Sequence, residues 1–188
     1  MPFIRAVFID VILHNYFLKE ITLMELNYVE IEKQVRQQEE TLVFDHFSNK
    51  DAWELGQFMV KKVYEKGIDL AICIKKRNGN VIFQYMTEKA NLLNEYWMER
   101  KFKTVNLLER SSFGSWAEYN VKERELADDR LSENEYALCG GGFPIRLKSG
   151  EMVGVLLTSN LPHEQDHDFM IECLKEWLGC PDVPNIKF

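Results

Sequence analysis

The sequence has little positive charge. Its 23 Lys and Arg stand against 30 Asp and Glu, a formal net charge of -7. That balance argues against nonspecific binding along nucleic acid, which needs a basic footprint. It argues equally against docking on an anionic membrane surface. Cysteine is sparse: the chain has four, Cys73, Cys139, Cys173 and Cys180. No two form a CxxC and none has a zinc-type partner spacing. Buried free thiols in a reducing cytosol are the reading that fits. Long apolar runs are missing as well. Phe3 to Phe17 is the nearest approach, and Arg5, Asp10, His14 and Asn15 interrupt it. It is too short and too polar to span a bilayer. Asp10 within it, and no small-residue cleavage site after it, argue against a signal peptide. There is no Gly-x-Ser-x-Gly elbow, and Ser111 and Ser112 have no histidine nearby in sequence, which disfavours a serine hydrolase. No linker, low-complexity stretch or repeat divides the chain.

What is present suits one globular domain with a proper core: 188 residues, 46% hydrophobic and 28% charged. Met24-Glu25-Leu26 opens a clean amphipathic helix, so we read residues 24–188 as the domain. Residues 1–23 read as an N-terminal extension, either an over-called start or an added element packed on the body or on a neighbour. Leu26, Val29, Ile31 and Val35 fall on one helical face. Thr41 to Phe44 reads as a short strand. Ser48 or Asn49 caps a helix that ends at Gly67, the residue suited to a left-handed cap. Leu70 to Lys75 and Val81 to Tyr85 read as strands joined by Arg77-Asn78-Gly79-Asn80, because Asn-Gly accepts positive φ. A long helix is predicted over about Asn91 to Arg110 and a polar helical stretch over Ser115 to Arg130, with one more helical turn begun at Ser132. A second hairpin, Phe143 to Leu147 and Met152 to Thr158, turns at Ser149-Gly150. A terminal helix runs from about Pro162 to Leu178. The expected fold is therefore α/β of the α+β kind, an antiparallel sheet of about five strands flanked by helices.

Two segments carry the candidate chemistry. Gly140-Gly141-Gly142 brings no side chain to pack, so backbone must come close to something there. It is not a P-loop, since no Gly-Lys-Ser/Thr follows and a strand comes next. A bare loop of amide donors can hold a carboxylate or phosphate, and Arg100, Lys101, Arg110 and Arg146 could add charge-assisted bonds to the same anion. The plainer alternative is a tight strand start needed for packing or for a subunit contact. The second segment is His163-Glu164-Gln165-Asp166-His167. His163 and His167 share one helical face and could ligate a metal or heme iron. Alternatively they are polar partners, with Glu164 and Asp166 complementing the helix macrodipole. Trp53, Trp97, Trp116 and Trp177 read as core or subunit contacts.

Five ordered segments carry a resemblance: Glu40 to Phe44, Asp51 to Gly56, Asn94 to Lys101, Gly140 to Ile145 and Leu161 to His167. With them the chain resembles the heme-degrading-domain family, also called GlcG-like or HbpS-like. Within it the chain looks similar to the cytosolic proteins of uncharacterised protein family three-oh-three. Two positions depart from the family pattern: Cys139 stands where it has His, and Asn160 where it has Gly. The resemblance implies a profilin-like or GAF-like fold, assembly into a homo-oligomer, and heme or another tetrapyrrole as ligand. The implied site is a groove between the glycine loop, the helix around Arg100 and Lys101, and the start of the terminal helix. Propionates would meet the basic groups there, and apolar walls the ring. The competing expectation is a non-enzymatic oligomeric scaffold that binds protein partners.

Overall fold

A computed structural model describes residues 28–186. The extension assigned to residues 1–23, and the helix start at Met24, lie outside the described residues. Residues 28–41 are helical (α1). They are followed by α2 (Asn49–Lys66), β1 (Ala71–Lys76), β2 (Val81–Met86), α3 (Leu92–Leu108), α4 (Ser112–Val121), β3 (Gly142–Arg146), β4 (Met152–Ser159) and α5 (His163–Leu178). The strands form one antiparallel sheet in the order β2-β1-β4-β3.

Strand periodicity builds the two layers of core. Successive side chains of a strand point to opposite faces. Ile72 and Ile74 of β1 and Leu156 of β4 therefore enter one face, packed under Leu55, Met59 and Val63 of α2 and Phe169, Met170 and Leu174 of α5. Ala71 and Cys73 of β1 and Val155 and Leu157 of β4 enter the other, under Met98, Phe102 and Val105 of α3. Leu156 is fully buried, and truncating such a side chain to Ala costs about 2–5 kcal/mol. A third cluster joins α1 and α4 through Ile31, Val35, Phe113 and Ala117, closed by Ile186 of the tail.

The local signals act as their chemistry requires. Ser48 caps α2 in a reciprocal capping box with Asp51, and Gly67 ends it at φ 62°. Gly79, at φ 88°, turns the first hairpin. The expected fifth strand does not form. α1 continues through residue 41, and Leu42 still donates to the Gln38 carbonyl at 2.9 Å. Too little chain then remains for a ladder, and Phe44 makes a lone parallel bridge with Leu147. The polar stretch to Arg130 is also broken, because Glu123 takes a left-handed φ of 50° after Val121. A short 3-10 turn, Leu126–Asp129, resumes beyond it.

Candidate functional site

The long helix α3 brings Lys101 under the glycine run. Its Nζ donates to Asp166 Oδ2 of α5 and to the Thr158 carbonyl of β4, both at 2.9 Å. The side chains are only 3% and 2% exposed. Asp166 Oδ1 accepts from the Leu161 amide at 3.2 Å. Burial pushes the Asp166 carboxyl above the ordinary carboxylate value, against the pull of Lys101.

The glycines make their close approach to this protein core. A Cβ on Gly140 would lie 1.9 Å from the His163 carbonyl oxygen. One on Gly141, at φ 108°, would lie 2.4 Å from Lys101 Nζ and 2.5 Å from the Thr158 carbonyl. One on Gly142 would lie 2.9 Å from Val105 Cγ2. The run is thus a crossing point of α3, β4 and α5. Asn160, the other departure from the family pattern, holds a φ of 135° that suits glycine. Its amide is fixed by donating to the Asp69 carbonyl at 3.0 Å and accepting from Asn94 at 3.3 Å.

The two histidines part company. His163 is half-buried against Phe113 and Trp116. Its Nδ1 accepts from the Gly140 amide at 3.3 Å, and its Nε2 lies 3.0 Å from Glu164 Oε1. Burial lowers its pKa. His167 is fully buried and stacks on Phe113 at 4.7 Å. Gln38 donates its amide to the Pro184 carbonyl at 2.8 Å, so its oxygen accepts from His167 Nε2, also at 2.8 Å. Burial holds His167 neutral, with a pKa of about 3. The pair expected on one face for a metal is therefore divided between a cavity wall and the core. Among the described residues no three His, Cys, Asp or Glu side chains are grouped to hold a metal ion.

The basic residues divide too. Arg100 donates through Nε and Nη2 to the Tyr136 carbonyl at 3.3 and 3.1 Å, and its guanidinium stacks on Trp97 at 4.2 Å. Arg146 does not join it. Four residues along β3 from Gly142 is about 13 Å, and Arg146 donates instead to the carbonyls of Gly150 and Glu109, at 2.8 and 2.6 Å. It lines a separate cavity of about 640 Å³ with Arg110. There Arg110 is engaged by Glu32 and Glu118. In that larger cavity Arg146 is spent on backbone carbonyls and Arg110 on carboxylates, so size alone does not make it the candidate.

Two smaller cavities meet at Trp97 and Cys139. One, about 380 Å³, is walled by Leu93, Asn94, Lys101, Leu161 and His163. The other, about 370 Å³, is walled by Arg100, Arg124, Leu126 and Tyr136. Leu93 on the wall of the first is 60% exposed. Cys139, on the shared wall, is held as a thiol because burial raises its pKa. Sequence reasoning singled out Arg100, Lys101 and His163 but read Trp97 as a core or subunit contact and did not single out Arg124. Trp97 and Lys101 stand four apart on one helix, as do Leu93 and Trp97. That stripe was the signal available for Trp97.

A family model described as "Haem degrading protein HbpS-like" matches residues 47–175. A UPF0303 protein of Yersinia pseudotuberculosis is 31% identical over 147 residues, 78% of this chain and 85% of that protein. A UPF0303 protein of Yersinia enterocolitica is 31% identical over the same length, 87% of its own. Among solved structures, Ybr137w superposes with a TM-score of 0.71 at 24% identity, covering 88% of this chain and 95% of that one. HbpS gives 0.56 at 17% identity, covering 71% and 91%. The PduOC:heme complex gives 0.58 at 17% identity, covering 75% and 99%. At such identities the structural likeness is one of fold. The family match spans most of the domain and agrees with the curated relatives, and on that ground this chain belongs to the HbpS-like family of heme-degrading proteins.

Proposed function

We propose that this chain binds a planar dicarboxylate of the tetrapyrrole class, heme among them, in the groove that Trp97 divides. The observation that carries the reading is the Arg100 guanidinium stacked 4.2 Å over Trp97, between an apolar-walled cavity and one lined by charged groups of both signs. Arg100 uses Nε and Nη2 on Tyr136, which leaves Nη1 for a carboxylate. Arg124 stands across the same cavity but is ion-paired with Asp129, so Arg100 is the cation this reading rests on. Leu93 and Trp97 offer the ring an apolar face. The family membership supports this ligand class, and so does the heme named in the PduOC complex. Of the residues first assigned to the loop site, Arg100 and Lys101 line this groove, Gly140, Gly141 and Gly142 pack behind it against α3, β4 and α5, and Arg146 lines a separate cavity.

A second reading, an oligomeric scaffold that binds protein partners, is favoured by another surface. Trp53 and Tyr64 of α2 and Val81 of edge strand β2 are 55%, 62% and 49% exposed. A second copy of the chain would bury them, and a homo-oligomer is part of our proposal on that ground. Cys73, Cys139, Cys173 and Cys180 are all free thiols, which supports a cytoplasmic setting. Among the described residues no helix is long and apolar enough to cross a membrane.

The test is a titration of the full chain with monomeric hemin, followed in the Soret band, for the parent and for Arg100→Ala. Saturable binding by the parent, weakened about tenfold or more in the variant, is expected for one charge-assisted contact. Absence of saturable binding by the parent overturns the reading in favour of the scaffold.

A further inference from the structure

We infer that the groove holds a tetrapyrrole by its ring face and its carboxylates, and not by any histidine among the described residues on its central metal, so that metal-free and iron-bearing porphyrins bind alike. The inference rests on the groove assigned above.

A histidine ligates iron through an unprotonated ring nitrogen. His163, at the groove wall, offers none. Its Nδ1 faces the Gly140 N–H at 3.3 Å and must accept. The neutral ring therefore carries its proton on Nε2, which points to Glu164 Oε1 at 3.0 Å. Turning Nε2 to a metal would move that proton onto Nδ1, donor against donor. The Gly140 amide cannot withdraw, because its Cα sits where even a Cβ would strike the His163 carbonyl. Burial also keeps the ring neutral.

His167 is no better placed. It is fully buried, stacked on Phe113, and committed through Nε2 to Gln38. It lines neither of the two cavities. Cys139 does line both, and burial, by raising its pKa, opposes the thiolate that a metal takes. Trp97 and Leu93 face the groove with apolar surface for the ring, and Arg100, with Nη1 unspent, faces it for a carboxylate. Arg124 on the same wall is paired with Asp129, and Glu125 and Glu133 also line it.

The experiment compares hemin, metal-free protoporphyrin IX and a protoporphyrin dimethyl ester on the full chain, by quenching of tryptophan emission and by ligand absorption. Hemin and protoporphyrin IX should bind within about threefold of each other, and the ester at least tenfold more weakly. His163→Ala should leave the Soret band of bound hemin unmoved. A preference for hemin of tenfold or more over protoporphyrin IX, or a Soret band that shifts in His163→Ala, overturns the inference and leaves the groove assignment standing. Failure of both porphyrins to bind overturns the groove assignment and the inference with it.

Discussion

Lys101 Nζ and Asp166 Oδ2 stand 2.9 Å apart, 65 residues distant in sequence, with 3% and 2% of their side chains exposed. The pair ties α3 to α5 beneath the glycine run, and the Thr158 carbonyl adds β4 to the same ammonium. A buried pair of this kind gives little net stability over apolar residues of equal volume. It is costly when halved, because one charge is left uncompensated.

Lys101→Met or Asp166→Asn alone should therefore destabilise the domain strongly, by about 3–5 kcal/mol where the remaining charge is uncompensated. The double variant Lys101→Met with Asp166→Leu should lose clearly less than the sum. Urea denaturation of the three variants gives the coupling directly, and additive losses would show that the two charges act independently.

Gly140→Ala should damage folding, since the new Cβ would meet a backbone carbonyl oxygen at 1.9 Å with no flexible neighbour to yield. Gly150→Ala makes the control. Unlike Gly140 it sits at positive φ, 93°, but with nothing within 4 Å of its Cβ, so its loss should stay near the ~1 kcal/mol of left-handed strain. Thermal melts of both variants decide whether the run is a packing device. A Gly140→Ala melt equal to that of Gly150→Ala would refute it.

His167 gives the fold a pH dependence of definite sign. Its folded pKa, about 3, lies below the ordinary histidine value of 6.5. Below pH 6.5 the unfolded chain binds the proton and the folded one does not. Its contribution is then complete above pH 6.5 and is lost as pH falls toward 3, at up to about 1.4 kcal/mol per pH unit. His167→Phe should flatten the parent's stability profile between pH 6.5 and 4.5, measured by urea midpoints. Parallel profiles for parent and variant would remove His167 as the source.

Residues 1–23 should be dispensable for folding, because the amphipathic pattern restarts at Met24. A chain beginning at Met24 should keep the melting temperature and the association state of the full chain. A lower melt or aggregation would make the segment part of the core or of an interface.

The local signals in the sequence determined most of the elements. Asn-Gly at positions 78 and 79, Ser48 before α2, Gly67 after it, and the alternation of β1 and β4 each act within a few residues, where φ preference and side-chain period decide the outcome. The family could be read from the sequence for the same reason, since its motifs are short ordered strings. The tertiary structure alone decided what those strings face. Nothing local shows that Lys101 is spent on Asp166, that Gly140 abuts the His163 carbonyl, or that His167 points inward to Gln38 while His163 stays at a cavity wall. Arg146 is the clearest case: four residues from Gly142 in sequence, it is carried along an extended strand into a different cavity. Thr41 to Phe44 fails as a strand because α1 runs through residue 41 and leaves only Phe44 to bridge the distant Leu147. Local preference chooses backbone shape, but which side chains meet depends on contacts many residues apart, and these form only when the layers close.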